Sequence, residues 1–513
     1  MTALSPDEWV SARAISRLNY CNPFEPERIR LEREVLQAAF IWTDAAWHKR
    51  FDAIGTPPNI DLMTERSQLL ADKLRGEVSG DSTADSDVCF VYENVVLYLL
   101  YNRHHTALQS LILEGVEAAK PARSESHAPF YREFLDDLKH YLALPGYTFD
   151  SLEQPAHLFA CLFQVRRAFH FIHENIIGGS MTTARFRAAV WESIFTHDVQ
   201  RYRRALYQRM GDIATLIAGP SGTGKELVAQ AIGHARYIPF NAKSLRFEGH
   251  FASAMYPLNL SALSPTLIES ELFGHRKGAF TGALHDRKGW FEVCPPQGTI
   301  FLDEIGEIAP AIQVKLLRVL QTRSFQPLGG TESRPFEGKV IAATNRDLAA
   351  EIACGNFRTD LYYRLCSDLI VTPSLRDQVR ESPDHLHNLL LFVCRNVAGE
   401  AEAPRLAAEA EQWIHDHLGL NYPWPGNIRE LEQCVRNLLV RKHYTPPSAP
   451  PTDGREALAE AVRCGSLTAE ELLDRYFAQV YAETGNYQET GRRLGVDGRT
   501  AKARVKRGNE DVQ

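Results

Sequence analysis

Apolar positions in the first 180 residues recur mostly at helical spacing. Leu31, Val35, Ala38, Ala39 and Trp42 predict a helix within Glu27 to Trp47. Val91 to Ala118 and Tyr131 to Leu144 read as further helices. Pro155 to Ile177 reads as another, with Pro155 suited to a first helical turn and Gly178-Gly179-Ser180 as its stop. Gly76 to Asp87 is polar, acidic and glycine-containing, and reads as a flexible loop. The pattern then changes. Asp212 to Ala218, Gly298 to Glu304 and Lys339 to Thr344 are short, branched, apolar runs of the kind found in buried parallel strands. Thr445 to Gly454 holds four prolines and no hydrophobic period, and reads as a linker. Beyond it, Leu467 to Thr484 reads as an amphipathic helix. Gly485-Asn486-Tyr487 is a turn. Gln488 to Leu494, a turn at Gly495 to Gly498, and Arg499 onward have helix-turn-helix spacing.

Composition narrows the picture. A chain of 513 residues is too long for one ordinary domain, and about three are expected. A net charge of −7 excludes a globally basic surface, so nucleic acid has to be met by a local patch. The tail supplies one: seven basic residues and one acidic residue lie between Arg492 and Arg507. Nine scattered cysteines with no C-x-x-C pair suit reduced thiols better than disulfides or zinc, and so a cytoplasmic setting. The start, MTALSPDEWVSAR, lacks a signal-peptide pattern, and the longest apolar run, Val95 to Tyr101, is far short of a membrane span. No solenoid repeat is present.

Candidate chemistry sits at the strand ends. Gly219-Pro220-Ser221-Gly222-Thr223-Gly224-Lys225-Glu226 follows a strand and opens a helix, which is the context of a phosphate-binding P-loop. Its backbone N–H groups form an anion nest, the helix start adds its positive dipole end, and Lys225 is placed for the β- and γ-phosphates of ATP. Glu226 stands where the general motif has the Ser or Thr that holds magnesium. Gly298 to Glu304 ends in two carboxylates, the Walker B pattern. Asp303 is expected to organise Mg2+ through water, and Glu304 to orient or deprotonate the attacking water. The run Gly278-Ala279-Phe280-Thr281-Gly282-Ala283 is uncharged and glycine-bracketed, and reads as a mobile loop in which Phe280 has little local cover. His170, His173 and Glu174 lie near one helical face, but read as ordinary packed or solvated residues rather than a metal site.

The stretch Glu269 to Ala283, ESELFGHRKGAFTGA, resembles the bacterial enhancer-binding proteins, the sigma-54-dependent activators of the AAA+ class. Gly278 to Ala283 match that family's signature loop without a substitution. The resemblance implies that the loop contacts sigma-54, chiefly through Phe280 and Thr281. It also makes Glu226 characteristic rather than anomalous. It implies that Asn259, in Leu258-Asn259-Leu260, couples nucleotide state to the loop, and that Asn345 senses the γ-phosphate. Arg358 and Arg364, in FRTDLYYRL, would reach the ATP of a neighbouring subunit, and Arg429, in NYPWPGNIREL, would be the second sensor. Pro239 to Pro257 is longer and more irregular than the family pattern, and Ile370 to Arg380 is a degraded version of the segment leading into the lid. The tail resembles the Fis-type helix-turn-helix domain, with Arg499, Thr500, Lys502, Ala503 and Lys506 on or near the recognition helix.

The expected architecture is therefore α/β: a mostly helical regulatory domain at 1–180, an AAA+ P-loop core with helical lid at 185–442, a linker at 443–465 and a helix-turn-helix domain at 466–513. The expected protein is a cytoplasmic ATPase with no membrane partner that uses ATP and Mg2+, assembles as a homo-oligomer (by resemblance a hexamer), binds upstream enhancer DNA and remodels the sigma-54 RNA polymerase holoenzyme. The alternatives are a DNA-binding repressor or a ligand sensor with a vestigial AAA+ fold.

Overall fold

The computed structural model describes residues 4–42, 58–80, 85–117, 127–382, 384–419, 421–446, 458, 462 and 467–510. Five helices lead the chain: α1 (Pro6–Leu18), α2 (Pro26–Leu36), α3 (Pro58–Gly80), α4 (Ser86–Glu117) and α5 (Tyr131–Leu142). Ser5 opens α1 through a capping box with Glu8, so two otherwise orphaned backbone donors are satisfied locally. In α3, Met63, Leu70, Ala71, Leu74 and Val78 form a buried stripe. Because Val78 continues that stripe, the helix runs through Gly80, and the described part of the loop expected at Gly76 to Asp87 is largely helical, with α4 starting at Ser86. Residues 81–84 of that expected loop, and 43–47 of the expected Glu27 to Trp47 helix, lie outside the described residues. Next come α6 (Pro155–Asn175) and α7 (Met181–Phe195), then the P-loop helix α8 (Lys225–His234).

The central sheet has five parallel strands: β1 (Thr215–Ala218), β2 (Met255–Asn259), β3 (Thr299–Asp303), β4 (Lys339–Thr344) and β5 (Asp368–Val371). Their spatial order is β2-β3-β4-β1-β5. This is an open parallel α/β sheet with helices packed against both faces. Successive strand residues face opposite sides. Ile217, Phe301, Ile341 and Ile370 enter one core; Leu216, Ile300, Leu302 and Val340 enter the other, with Leu272, Leu316 and Leu361. The first core also contains the N-terminal helices, down to Ile15, Leu100, Phe159 and Trp191.

By packing, the chain divides into two compact units, 1–440 and 441–513. The boundary expected between residues 180 and 185 falls inside the first, because the N-terminal helices share a core with one face of the sheet. The irregular stretch from Pro239 resolves into a short hairpin, Phe240–Asn241 with Arg246–Phe247, a turn at Phe251–Ser253, and then β2. Helices Asp384–Ala398, Ala403–His417 and Asn427–Arg441 follow the sheet and make the helical lid.

The second unit holds helices Ala469–Thr484, Tyr487–Leu494 and Gly498–Glu510 around Phe477, Ala501 and Val505. Thr468 and Glu471 form a capping box at its entry, and Gly485 and Gly495 end the first two helices in the left-handed region. The linker expected at Thr445 to Gly454 lies outside the described residues from 447 on. Among the described residues no helix is long and apolar enough to cross a membrane.

Candidate active site

All the strand-end residues singled out in the sequence meet at the carboxyl edge of the sheet, where open α/β folds bind ligands. After β1 the chain turns on Gly219, Gly222 and Gly224, all with positive φ. A side chain at Gly219 would come within 2.1 Å of Thr372 Oγ1, and one at Gly222 within 2.2 Å of the Gly426 carbonyl. Conformation and space both require glycine here. Pro220, Ser221 and Thr223 fill the turn. Thr223 donates to Pro220 O at 2.9 Å, and its hydroxyl lies 2.6 Å from that of Thr372.

Lys225 opens α8 and is 7% exposed. Its Nζ donates to Gly219 O at 3.0 Å and Pro220 O at 3.1 Å, folding the ammonium into the loop. Burial pulls its pKa down, opposed by the nearby carboxylates of Glu304 and Asp303, while Arg429 adds to the lowering. Those partners place both β3 carboxylates and the lid arginine in the field of Lys225. Asp303 Oδ1 accepts from Glu304 N at 3.1 Å. Glu304 adopts a left-handed φ of 56° and accepts from the backbone N of Asn345 at 3.3 Å. Strand ends β3 and β4 are thus tied through the two residues expected to handle water and γ-phosphate. Asn259 pairs in register with Asp303, while its side-chain oxygen accepts from Ser261 N and Oγ at 3.0 and 2.7 Å. Glu226 is exposed on the first turn of α8, with Gln230 as its partner at 3.4 Å.

The lid closes over the P-loop. Arg429 Nη1 reaches Ser221 Oγ at 3.3 Å, and Ile428 N donates to Gly222 O at 3.0 Å. Asn427, buried and at φ 51°, donates to Ser221 O at 2.9 Å and accepts from Leu375 N at 2.9 Å. Neither Asn427 nor Thr372 was found by sequence reasoning. Asn427 sits beside Arg429 in the same motif, a usable signal; Thr372 carries none.

The signature loop is a compact double turn. Gly278 N donates to Ala283 O at 2.9 Å and Ala283 N to Phe280 O at 3.0 Å, with Gly278 and Gly282 at φ 81° and 100°. Phe280 is half-buried, edge-on to His275 at 4.9 Å, so it has more cover than the sequence implied. The cover comes from a neighbour five residues back, because His275 is pinned by bridges to Arg287 and Leu328. Ala279 lies against Gly329, and Thr281 is exposed. Arg358 and Arg364 are exposed on and before helix Thr359–Leu365; Arg358 holds Asp360 bidentately at 3.0 and 2.7 Å.

In the second unit, Arg499, Thr500, Lys502, Ala503 and Lys506 are all exposed on helix Gly498–Glu510. Arg504 turns inward to Asp474 at 2.9 Å, the exposed Arg507 reaches the same carboxylate at 3.4 Å, and the exposed Arg492 and Arg493 pair with Glu489 and Glu483. Of the seven basic residues, Arg499, Lys502 and Lys506 are the exposed ones that make no ion pair among the described residues. Among the described residues no cluster of histidine, cysteine and carboxylate groups is arranged to hold a metal, His170, His173 and Glu174 included.

Residues 194–370 match the family described as the sigma-54 interaction domain. This chain carries a sigma-54 interaction domain. The P-loop, both β3 carboxylates, the signature loop and both candidate finger arginines lie within it; Arg429 and the helix-turn-helix lie beyond. The chain is 37% identical over 335 residues to the Nif-specific regulatory protein of Azotobacter vinelandii, covering 64% of this chain and 56% of that protein. It is 39% identical over 303 residues to the transcriptional regulatory protein ZraR of Klebsiella oxytoca, covering 58% and 64%. Hydrogenase transcriptional regulatory protein HoxA of Bradyrhizobium diazoefficiens is 44% identical over 244 residues, covering 48% and 46%. The chain thus spans between 46% and 64% of the length of these relatives. Among solved structures, NtrX from Brucella abortus aligns over 71% of this chain and 76% of its own, at 22% identity and a TM-score of 0.38, which adds nothing to the sheet order itself. The resemblance to the sigma-54-dependent activators holds over residues 194–370.

Proposed function

We propose that this chain is an ATP-dependent transcription activator. In this reading it binds ATP at the P-loop, hydrolyses it, and uses the work to remodel the sigma-54 RNA polymerase holoenzyme through the signature loop. The observation that carries the reading is the signature loop, Gly278 to Ala283, set within the sigma-54 interaction domain beside a complete P-loop and two strand-end carboxylates.

Each residue then has a task. The N–H groups of the glycine turn and the start of α8 receive phosphate oxygens, and Lys225 leaves the carbonyls of Gly219 and Pro220 to take the β- and γ-phosphates. Glu304 holds the attacking water and accepts its proton. Asn345 and Arg429 report the γ-phosphate to strand β4 and to the lid. The oxygen-only donor set suits a hard cation, and Asp303 would hold Mg2+ through water, where the ion would neutralise phosphate charge. Arg358 and Arg364, exposed, would complete the site of a neighbouring copy in a homo-oligomer, a hexamer by family resemblance. Arg499, Lys502 and Lys506 would face upstream DNA, and the setting would be the cytoplasm. The presence of Lys225, Asp303, Glu304, Arg358 and Arg364 argues against a vestigial fold used only for repression or sensing.

Thr281→Ala tests the reading. The exposed hydroxyl touches none of the phosphate machinery, so ATP turnover should stay within a few-fold of the parent while open-complex formation at a sigma-54 promoter disappears. Loss of turnover with activation retained would overturn the assignment of the loop.

A further inference from the structure

The N-terminal helices reach the nucleotide site from behind. A helix leaves its last carbonyls without intrahelical partners, and at the end of α8 these are taken by side chains of α6. Arg167 donates through Nη1 to His234 O and through Nη2 to Arg236 O, each at 2.7 Å. Gln164 Nε2 donates to Ala235 O, between them, at 2.9 Å, and its own oxygen accepts from the Tyr202 hydroxyl at 2.8 Å. Nearer the front, Asn175 Nδ2 donates to Leu227 O at 3.1 Å.

Arg167 is fully buried, with its guanidinium over the rings of Phe163 at 4.8 Å and Phe251 at 5.5 Å. Burial pulls its pKa down to about 9, which still leaves it charged near neutrality. A fixed positive charge at a helix C-terminus is favourable, and fork geometry lets one side chain serve two carbonyls. The inserted hairpin adds to the seam. Phe240 and Phe247 pack on Phe159 at 4.8 and 5.9 Å, Phe247 packs on Phe163 at 4.3 Å, and Ala128 N donates to Leu245 O at 2.9 Å.

We propose that Arg167 and Gln164 are positioning residues for the nucleotide site: they fix the rear of α8, so that a displacement of the N-terminal helices is delivered along α8 to Lys225. This rests on the reading of the site as an ATP site. The ten residues of α8 span about 15 Å, and a helix of that length in a close-packed core moves as a body rather than absorbing a shift. The N-terminal helices are in this account a built-in part of the ATPase, and a signal they receive acts on ATP through one short helix.

The test uses the full chain with Arg167→Met, Arg167→Lys and Gln164→Leu, read by amide hydrogen exchange and by binding of a fluorescent ATP analogue. Arg167→Met should speed exchange over residues 225–236 and weaken analogue binding by about tenfold or more, as loss of charge-assisted bonds implies. Exchange in α3 and α4 should stay at parental rates, and Arg167→Lys should restore part of both effects. If Arg167→Met does not fold, Gln164→Leu carries the same readouts at a smaller size. Variants that melt earlier, yet match the parent in both exchange over 225–236 and analogue affinity, would reduce the seam to a mere staple and overturn the proposal. Should the parent itself not bind the analogue, the ATP reading fails; unchanged exchange over 225–236 would still overturn the grip on α8 separately.

Discussion

At its front end, α8 meets glycine turns, the exposed Ser221 hydroxyl and a lid that touches the P-loop through Asn427, Ile428 and Arg429. At its rear end it meets a buried guanidinium, a fixed amide and a cluster of phenylalanines. Front contacts are hydrogen bonds to loop carbonyls and a hydroxyl, each worth about 1–3 kcal/mol net, and on the proposed reading phosphate oxygens replace those of Lys225 and Arg429. Rear contacts combine charge-assisted bonds with aromatic burial, and nothing in an ATP molecule competes for them. One helix therefore carries an exchangeable end and a permanent end. A nucleotide switch needs both, since a front that changes partners does useful work only against a rear that stays put.

The largest effect should come from the front. On the proposed reading Lys225→Ala removes the charge that would meet the phosphates, and ATP affinity should fall on the order of a hundredfold. Calorimetric titration measures this, and the melting transition should stay close to the parent because the rear is untouched. A smaller effect is expected from Asn427→Gly. Glycine accepts the positive φ without strain and loses only the bridge between Ser221 O and Leu375 N. ATP affinity should drop by about five- to tenfold, the size of one or two neutral hydrogen bonds. An unchanged affinity would mean that the lid contributes nothing to the front.

What the sequence revealed divides along the same line. The front is local in the chain: Gly219 to Glu226 is one continuous motif, Asp303-Glu304 ends one strand, and Asn427 to Arg429 lies in one short stretch. The rear is not. Arg167 lies 67 residues from His234 in the chain and meets backbone carbonyls, which have no signature of their own. Phe240, Phe247 and Phe251 registered only as an irregular insertion, although their density beside the aromatic run Phe159, Phe163 and Phe171 was a usable signal. The end of α3 was misread for a related reason. Gly76 and Gly80 suggest a loop, but Val78 extends a stripe begun at Met63, and burial of that stripe decided the matter. The tail helices Tyr487–Leu494 and Gly498–Glu510 were legible from turn residues, whereas the pairing of Arg504 and Arg507 with Asp474 depended on packing.

A further predicted effect, on stability rather than affinity, concerns pH and the rear. Burial, helped by Arg167 and His250, pushes the His234 pKa down from 6.5 to about 4. Between those values the unfolded chain binds the proton and the folded ring does not, so stability falls as pH drops through that window and levels off below it. The thermal midpoint of the parent should decline over this range, and His234→Leu should decline less steeply. Equal slopes would remove His234 from the seam's acid sensitivity.

The central contrast is open to one direct measurement: amide hydrogen exchange of the full chain, resolved along α8, with and without a non-hydrolysable ATP analogue. The account predicts that residues 229–236 and the facing segment 159–172 are already protected without nucleotide. Residues 219–228 and the lid segment 424–430 should gain protection only when the analogue binds. Rapid exchange over 229–236 in the nucleotide-free protein, or protection of 219–228 that does not respond to the analogue, would contradict the division of α8 into a permanent rear and an exchangeable front.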